Sequence, residues 1–243
     1  TPTYVIGIQK VPGLDYIELD KDDQLRVGAM TTLWAIERSQ LVHDKYPVLY
    51  EAVHQIHSVQ AKIMGTAVGN ICTGTPASDV ASILLALGGR LKIVGKSSEK
   101  TVPAEDFFIG TRQTILQPDE MVTEIKLPPV TATTGHAFYK LTKTTADIGK
   151  LNVSAAITID GDQCKECRIA LGSVAPTPMR ARQAENTLMG KKPDDETISE
   201  TARAAAAESR PITDIWSTEE YRTEMIKVLV RRAINRALER AGQ

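Results

Sequence analysis

The sequence predicts an α+β chain of two domains, and three observations carry that expectation. Up to about residue 130, short segments of β-like composition are mixed with segments whose apolar residues recur at helical spacing. Pro128-Pro129 followed by VTATTG then has the composition of a linker. Beyond it come three longer β-segments in succession and, after them, only helices. The expected division is residues 1–130 and residues 134–243, the second domain pairing a small antiparallel sheet with helices.

In order along the chain, TYVIGI and QLRVGAM read as short strands separated by the turn-rich VPGLDYIELDKDD. TTLWAIERSQLV carries a helical period with Thr31 or Thr32 as N-cap, and YPVLYEAVHQI supplies a second helix. A polar loop, GTAVGNICTGTPASD, precedes a helix from about Ala77 to Leu87, which Gly88-Gly89 stops. RLKIVG and TEIKLP are further strands. After the linker, HAFYKLTK, LNVSAAITID and CRIALGSVA read as a meander with Gly161-Asp162 as one turn. RARQAENTLMG, DETISETARAAAAES and STEEYRTEMIKVLVRRAINRALERA are the helices, the last with Ile226, Leu229, Val230, Ala233 and Ala237 on one stripe.

Bulk properties exclude several classes of function. Among 243 residues, 29 basic and 30 acidic side chains give a formal net charge of −1, so no global field favours nucleic acid or an anionic membrane. No apolar run approaches the ~20 residues of a membrane span. Cys72, Cys164 and Cys167 are too few for a disulfide framework, which points to a reducing, cytoplasmic setting. The single CxxC, Cys164 to Cys167, falls in what reads as a hairpin turn and has no second pair or spaced His to complete a metal site. His43, His54 and His136 read as surface or packing residues, and no paired carboxylates or Ser/His/Asp set suggest hydrolysis.

The polar loop is the most informative stretch. Its glycines let a backbone approach a ligand closely, and the following helix offers unpaired N–H groups and a positive dipole end. Thr66, Thr73, Thr75 and Ser78 bring hydroxyls, Asn70 both donates and accepts, and Asp79 accepts. This chemistry suits a phosphate or nucleotide, although a capped loop has the same composition and neither GxGxxG nor GxxxxGK[ST] is present. Cys72, inside the loop, is either a small buried apolar side chain or a soft contact to the ligand.

From Ile56 to Asp79 the chain reads IHSVQAKIMGTAVGNICTGTPASD. It resembles the flavin-binding segment of the FAD subunit of molybdenum hydroxylases, the xanthine dehydrogenase and carbon monoxide dehydrogenase group. There the text is roughly I-G-S-x-Q-I-R-N-x-G-T-x-G-G-N-I-x-x-x-S-P-x-x-D. Val11 to Ile17, Gly28 to Thr32, Phe107 to Glu120, RIALGSVAPTPMRARQAE and EYRTEMIKVLVRRA are similar to family segments in the same order. The chain departs from the family with Val68-Gly69 in place of Gly-Gly and with Ala61-Lys62-Ile63 in place of I-R-N.

The resemblance implies an FAD-binding domain of the vanillyl-alcohol-oxidase (PCMH) type, then a C-terminal domain like that of the carbon monoxide dehydrogenase flavoprotein. It implies that Thr66, Ala67, Val68, Gly69 and Asn70 wrap the pyrophosphate and ribityl region of FAD, with Thr73, Ser78 and Asp79 adding polar contacts. His57, Arg112, Met121 or Val122, and Tyr139 or Lys140 match family positions near the flavin or adenine. Family members begin with a further subdomain carrying an A-G-G-T-D-L-like loop, expected upstream of Thr1. The implied function is electron transfer: a large molybdopterin-bearing partner oxidises substrate, a small [2Fe-2S] partner relays electrons, and FAD on this chain passes them to an acceptor. The implied assembly is a dimer of heterotrimers. The alternatives are a flavin-less structural or assembly subunit of such a complex and a stand-alone FAD oxidase.

Overall fold

The computed structural model describes residues 3–145 and 147–241. In chain order the first domain contains β1 (Ile17–Leu19), β2 (Leu25–Gly28), α1 (Leu33–Arg38), α2 (Gln40–Lys45), α3 (Pro47–His54), α4 (Val59–Met64), α5 (Ala67–Cys72) and α6 (Asp79–Leu87). It continues with β3 (Arg90–Val94), β4 (Glu99–Pro103), β5 (Phe108–Gly110), β6 (Gln113–Thr114) and β7 (Met121–Leu127). The second domain contains β8 (Thr134–Leu141), β9 (Leu151–Asp160), β10 (Gln163–Gly172), β11 (Met179–Arg180), α7 (Arg182–Leu188), α8 (Asp195–Glu208) and α9 (Glu219–Arg240).

An antiparallel sheet in the order β1-β2-β7-β3-β4 underlies the first domain, with β5 and β6 forming a separate hairpin. The second sheet, β11-β10-β9-β8, is also antiparallel. Strand side chains alternate between faces, and in this sheet both faces are covered. Ala137, Tyr139, Leu141, Val153, Ala155 and Ile157 face the core built with α7, α8 and α9. The intervening residues Phe138, Lys140, Asn152, Ser154 and Ala170 face the first domain, where Phe138 and Ala170 join its core.

The element that meets this second face is α6, which also packs against α3 and α5. Ser78 caps it by accepting from Ala81 N–H, and Gly88 ends it in the left-handed conformation, φ 68°. Every residue from Asp79 to Leu87 is buried, so each of Val80, Ile83, Leu84, Leu85 and Leu87 contributes roughly 1.5–3 kcal/mol of apolar burial. Further contacts tie the domains together. Arg240 on α9 donates to the Glu51 carboxylate on α3 and, at 2.9 Å, to the His136 carbonyl, while Ser173 N–H donates to Pro76 O at 2.8 Å.

Several expected elements differ. Tyr4, Val5 and Ile6 are exposed and belong to no strand, because no strand among the described residues offers them a ladder; β1 forms instead within the stretch read as a turn. The single helix expected over TTLWAIERSQLV is two, since Ser39 leaves helical geometry to cap α2 through its hydroxyl, while Thr32 caps α1. Helix α5 lies inside the stretch read as loop, nucleated by the Thr66 cap. Cys164 and Cys167 sit in β10 rather than in the turn, both buried, with a register shift between Cys164 and Glu166 that turns both thiols inward.

Candidate functional site

The C-terminal end of α5 and the N-terminal end of α6 converge on a cavity of about 680 Å3 at the seam between the domains. Its wall combines the α3–α4 connection, the segment between α5 and α6, the β5–β6 turn, the end of β8 and the loop that follows it. His57, Asn70, Thr73, Ser78, Asp79 and Arg112 line it, together with Lys140.

Asn70 is fixed in one orientation. Ser78 Oγ accepts from Ala81 N–H at 3.1 Å and donates to Asn70 Oδ1 at 2.6 Å. With its carbonyl occupied, the amide presents its NH2 donors to the cavity. Thr73 Oγ donates to the Asn70 carbonyl oxygen at 2.7 Å, which leaves the hydroxyl lone pairs as acceptors.

Arg112 lies at the β5–β6 turn with φ 58°, a left-handed conformation uncommon for a side-chain-bearing residue. Its N–H donates to Gly74 O at 2.9 Å, and a Cβ at Gly74 would lie 3.0 Å from Arg112 backbone atoms, so the close approach requires glycine there. The exposed Arg112 guanidinium has no ion-pair partner among the described residues.

Asp79 is held from the other domain. Lys140 Nζ donates to Oδ2 at 2.6 Å and Asn152 Nδ2 to Oδ1 at 3.0 Å. Burial pushes the Asp79 carboxyl above its usual range, opposed by the Lys140 ammonium and by both hydrogen bonds. On the opposite rim, exposed His57 lies edge-on to His54, ring centroids 6.3 Å apart, and His54 Nδ1 is 2.8 Å from a Glu37 carboxylate oxygen.

Not every expected position reaches the cavity. Val122 is buried in the first core, and Met121, paired with Val94 in the sheet, is not in the wall. Tyr139 points to the α9 face, where it neighbours Arg232 and Arg236, because its adjacent residue Lys140 takes the cavity-facing position. Ala67 and Val68 bury their side chains in the core, which places the β-branched Val68 on the inner face of an ordinary helical turn. Thr66 commits its hydroxyl to Gly69 N–H at 2.9 Å. Gly69 is the exposed residue of this turn, and Thr66, Ala67, Val68 and Gly69 all lie outside the cavity wall. Cys72 is partly buried and packs against the core, and burial pushes its thiol up to about 11. Asp147, Ile148 and Gly149 also line the wall; sequence reading missed them because nothing in a short loop after β8 signals where the seam falls.

Residues 1–130 match the family described as the FAD binding domain in molybdopterin dehydrogenase, and residues 136–237 match the CO dehydrogenase flavoprotein C-terminal domain. The chain belongs to the FAD-binding medium subunits of the molybdopterin dehydrogenases. Among these flavoprotein subunits it is 32% identical to the carbon monoxide dehydrogenase medium chain of Hydrogenophaga pseudoflava, over 99% of this chain and 84% of that one. It is 27% identical to the xanthine dehydrogenase FAD-binding subunit of Escherichia coli O157:H7, over 98% of this chain and 82% of the relative. A solved structure titled as carbon monoxide dehydrogenase from Hydrogenophaga pseudoflava lacking the Mo-pyranopterin moiety of the molybdenum cofactor superposes with a TM-score of 0.91. That match has 34% identity and covers 94% of this chain and 79% of the other. The medium subunit is therefore an oxidoreductase component with an FAD-binding domain. Among its described residues no helix is long and apolar enough to cross a membrane, and no three His, Cys, Asp or Glu side chains cluster to hold a metal.

Proposed function

We propose that the seam cavity receives FAD and that the chain acts as the electron-transfer subunit of a molybdenum-dependent dehydrogenase. The observation that carries this reading is the donor set. The oriented Asn70 amide, the unpaired Arg112 guanidinium and the Lys140 ammonium face one cavity whose size lies in the usual ligand range of about 300–1,000 Å3. That set fits an anionic, hydroxyl-rich group such as a nucleotide pyrophosphate with its ribityl chain.

In this reading Asn70 donates to the pyrophosphate or ribityl oxygens and Thr73 accepts from a hydroxyl. Arg112 offsets the anionic charge, and Lys140 brings a cation from the second domain. Ser78 and Asp79 orient these groups, and His57 closes the rim. When bound, FAD supplies redox chemistry that accepts electrons singly and releases them in pairs. The electrons come from [2Fe-2S] clusters of a small partner, after substrate oxidation on a large partner with the molybdenum cofactor, and pass to an external acceptor. The assembly is a dimer of heterotrimers. Relatives named as a medium chain, and so as one chain of several, support the presence of partner chains. The domain division at 130 and 134 is part of the same reading and rests on the two separate cores.

Arg112→Ala tests it. The side chain is exposed and bears no packing load, so the unfolding midpoint of the apoprotein is expected to stay unchanged. FAD affinity, followed by titration of flavin fluorescence, should fall by roughly 10- to 100-fold, the loss of a charge-assisted hydrogen bond. An unchanged affinity would place the cofactor elsewhere. A colourless wild-type protein that still assembles with its partners would favour the structural-subunit alternative.

A further inference from the structure

Asn152 is fully buried on β9, and its amide is only half satisfied. Its Nδ2 donates to Asp79 Oδ1, while its Oδ1 meets no hydrogen-bond donor among the described residues. A buried acceptor left unpaired is unfavourable, and an apolar side chain of similar shape would avoid the loss. Directly opposite on β10 is Gly172, where a Cβ would fall 2.4 Å from that same Oδ1. The bare Cα of Gly172 is what leaves the amide room. On the other side Asn152 is in register with Lys140 on β8, and the two side chains bind different oxygens of one carboxylate.

We propose that Asn152 is a positioning residue of the flavin site, acting through Asp79 to hold the Lys140 ammonium at the cavity wall. The proposal rests on the reading that the cavity receives FAD. Lys140 has three donors, of which Asp79 takes one. The remaining donors face the cavity while the carboxyl group is limited to one oxygen toward lysine. Asn152 enforces this by occupying the second oxygen. Without that donor the carboxylate rotates to offer both oxygens to Lys140 and draws the ammonium away from the cavity. Ser154, two residues along the same face, provides the contrast. It donates to Ser82 Oγ at 3.0 Å, and Ser82 donates to the Asp79 carbonyl oxygen, so this seam contact bypasses the carboxylate.

FAD is titrated into the full chain, with the apoprotein unfolding midpoint and the midpoint potential of bound flavin measured alongside. Asn152→Leu is expected to lower the unfolding midpoint somewhat, since Asp79 Oδ1 loses its buried donor, and in the folded protein to weaken FAD binding roughly tenfold and to lower the flavin potential as a nearby cation withdraws. Gly172→Ala, which presses on the same amide from the neighbouring strand, should shift both flavin readouts in the same direction and carries the test if Asn152→Leu does not fold. Ser154→Ala should hold FAD affinity within about twofold. Absence of flavin uptake by the wild type overturns both readings. Uptake by the wild type together with unchanged affinity and potential in Asn152→Leu overturns this one alone. A loss in Ser154→Ala equal to that in Asn152→Leu overturns it as well, since generic domain packing would then explain both.

Discussion

Lys140→Met is expected to lower the unfolding free energy of the apoprotein by about 3–5 kcal/mol in urea denaturation, because it strands a buried carboxylate without its counter-charge. The side chains of Lys140 and Asp79 are 6% and 7% exposed, and Asn152 alone remains to satisfy the anion. Most of the loss should come from desolvation rather than from missing attraction. The double variant Asp79→Asn with Lys140→Met should therefore be more stable than Lys140→Met alone, since no unpaired charge is left inside. If the double variant is instead the less stable of the two, the pair itself, and not its burial, provides the stability.

Acidification should act at a different point of the same seam. His136 is buried on β8, with the Arg240 guanidinium bound to its carbonyl, and burial followed by repulsion from Arg240 lowers its pKa to about 4. Between that value and the ordinary 6.5 the unfolded chain binds a proton that the folded chain refuses. Stability from this residue is therefore complete above pH ~6.5 and falls as pH drops toward 4, by about 3 kcal/mol in all. Glu37, Glu124 and Asp214 are held below the usual carboxylate range, so their contributions disappear at lower pH. Urea unfolding at pH 7.5, 6.0 and 5.0 should show the decline in wild type and a flatter profile in His136→Gln. Parallel profiles would assign the acid sensitivity to other groups.

The sequence was most legible where one period ran long enough to be tested against its caps. The α9 stripe, the β8–β10 meander and the Gly88 stop of α6 all combine a repeated apolar spacing with a terminating residue. Elements whose existence depends on a distant partner were not legible. β1 is strand because β2 lies beside it, and Tyr4–Ile6, richer in β-formers, has no such neighbour among the described residues. The same distinction runs through the site. Asn70, Thr73 and Ser78 sit together through local hydrogen bonds that their spacing already suggests. Choosing between Tyr139 and Lys140, by contrast, requires knowing which face of β8 meets α6. Asp79 looks like an open acceptor in one dimension, and only the docking of the second sheet shows both of its oxygens occupied.

Helix α6 belongs by sequence to the first domain, yet one flank lies on β9 and β10 and every residue of it is buried. Cutting the chain at Pro128-Pro129 would therefore expose apolar surface on both fragments, because Phe138 and Ala170 complete the first core from beyond the cut. The two halves have separate cores but a shared fate. Recombining one half with the counterpart from a relative would require exchanging α6 together with the face of the sheet it touches, so the unit of inheritance here is the seam rather than the domain.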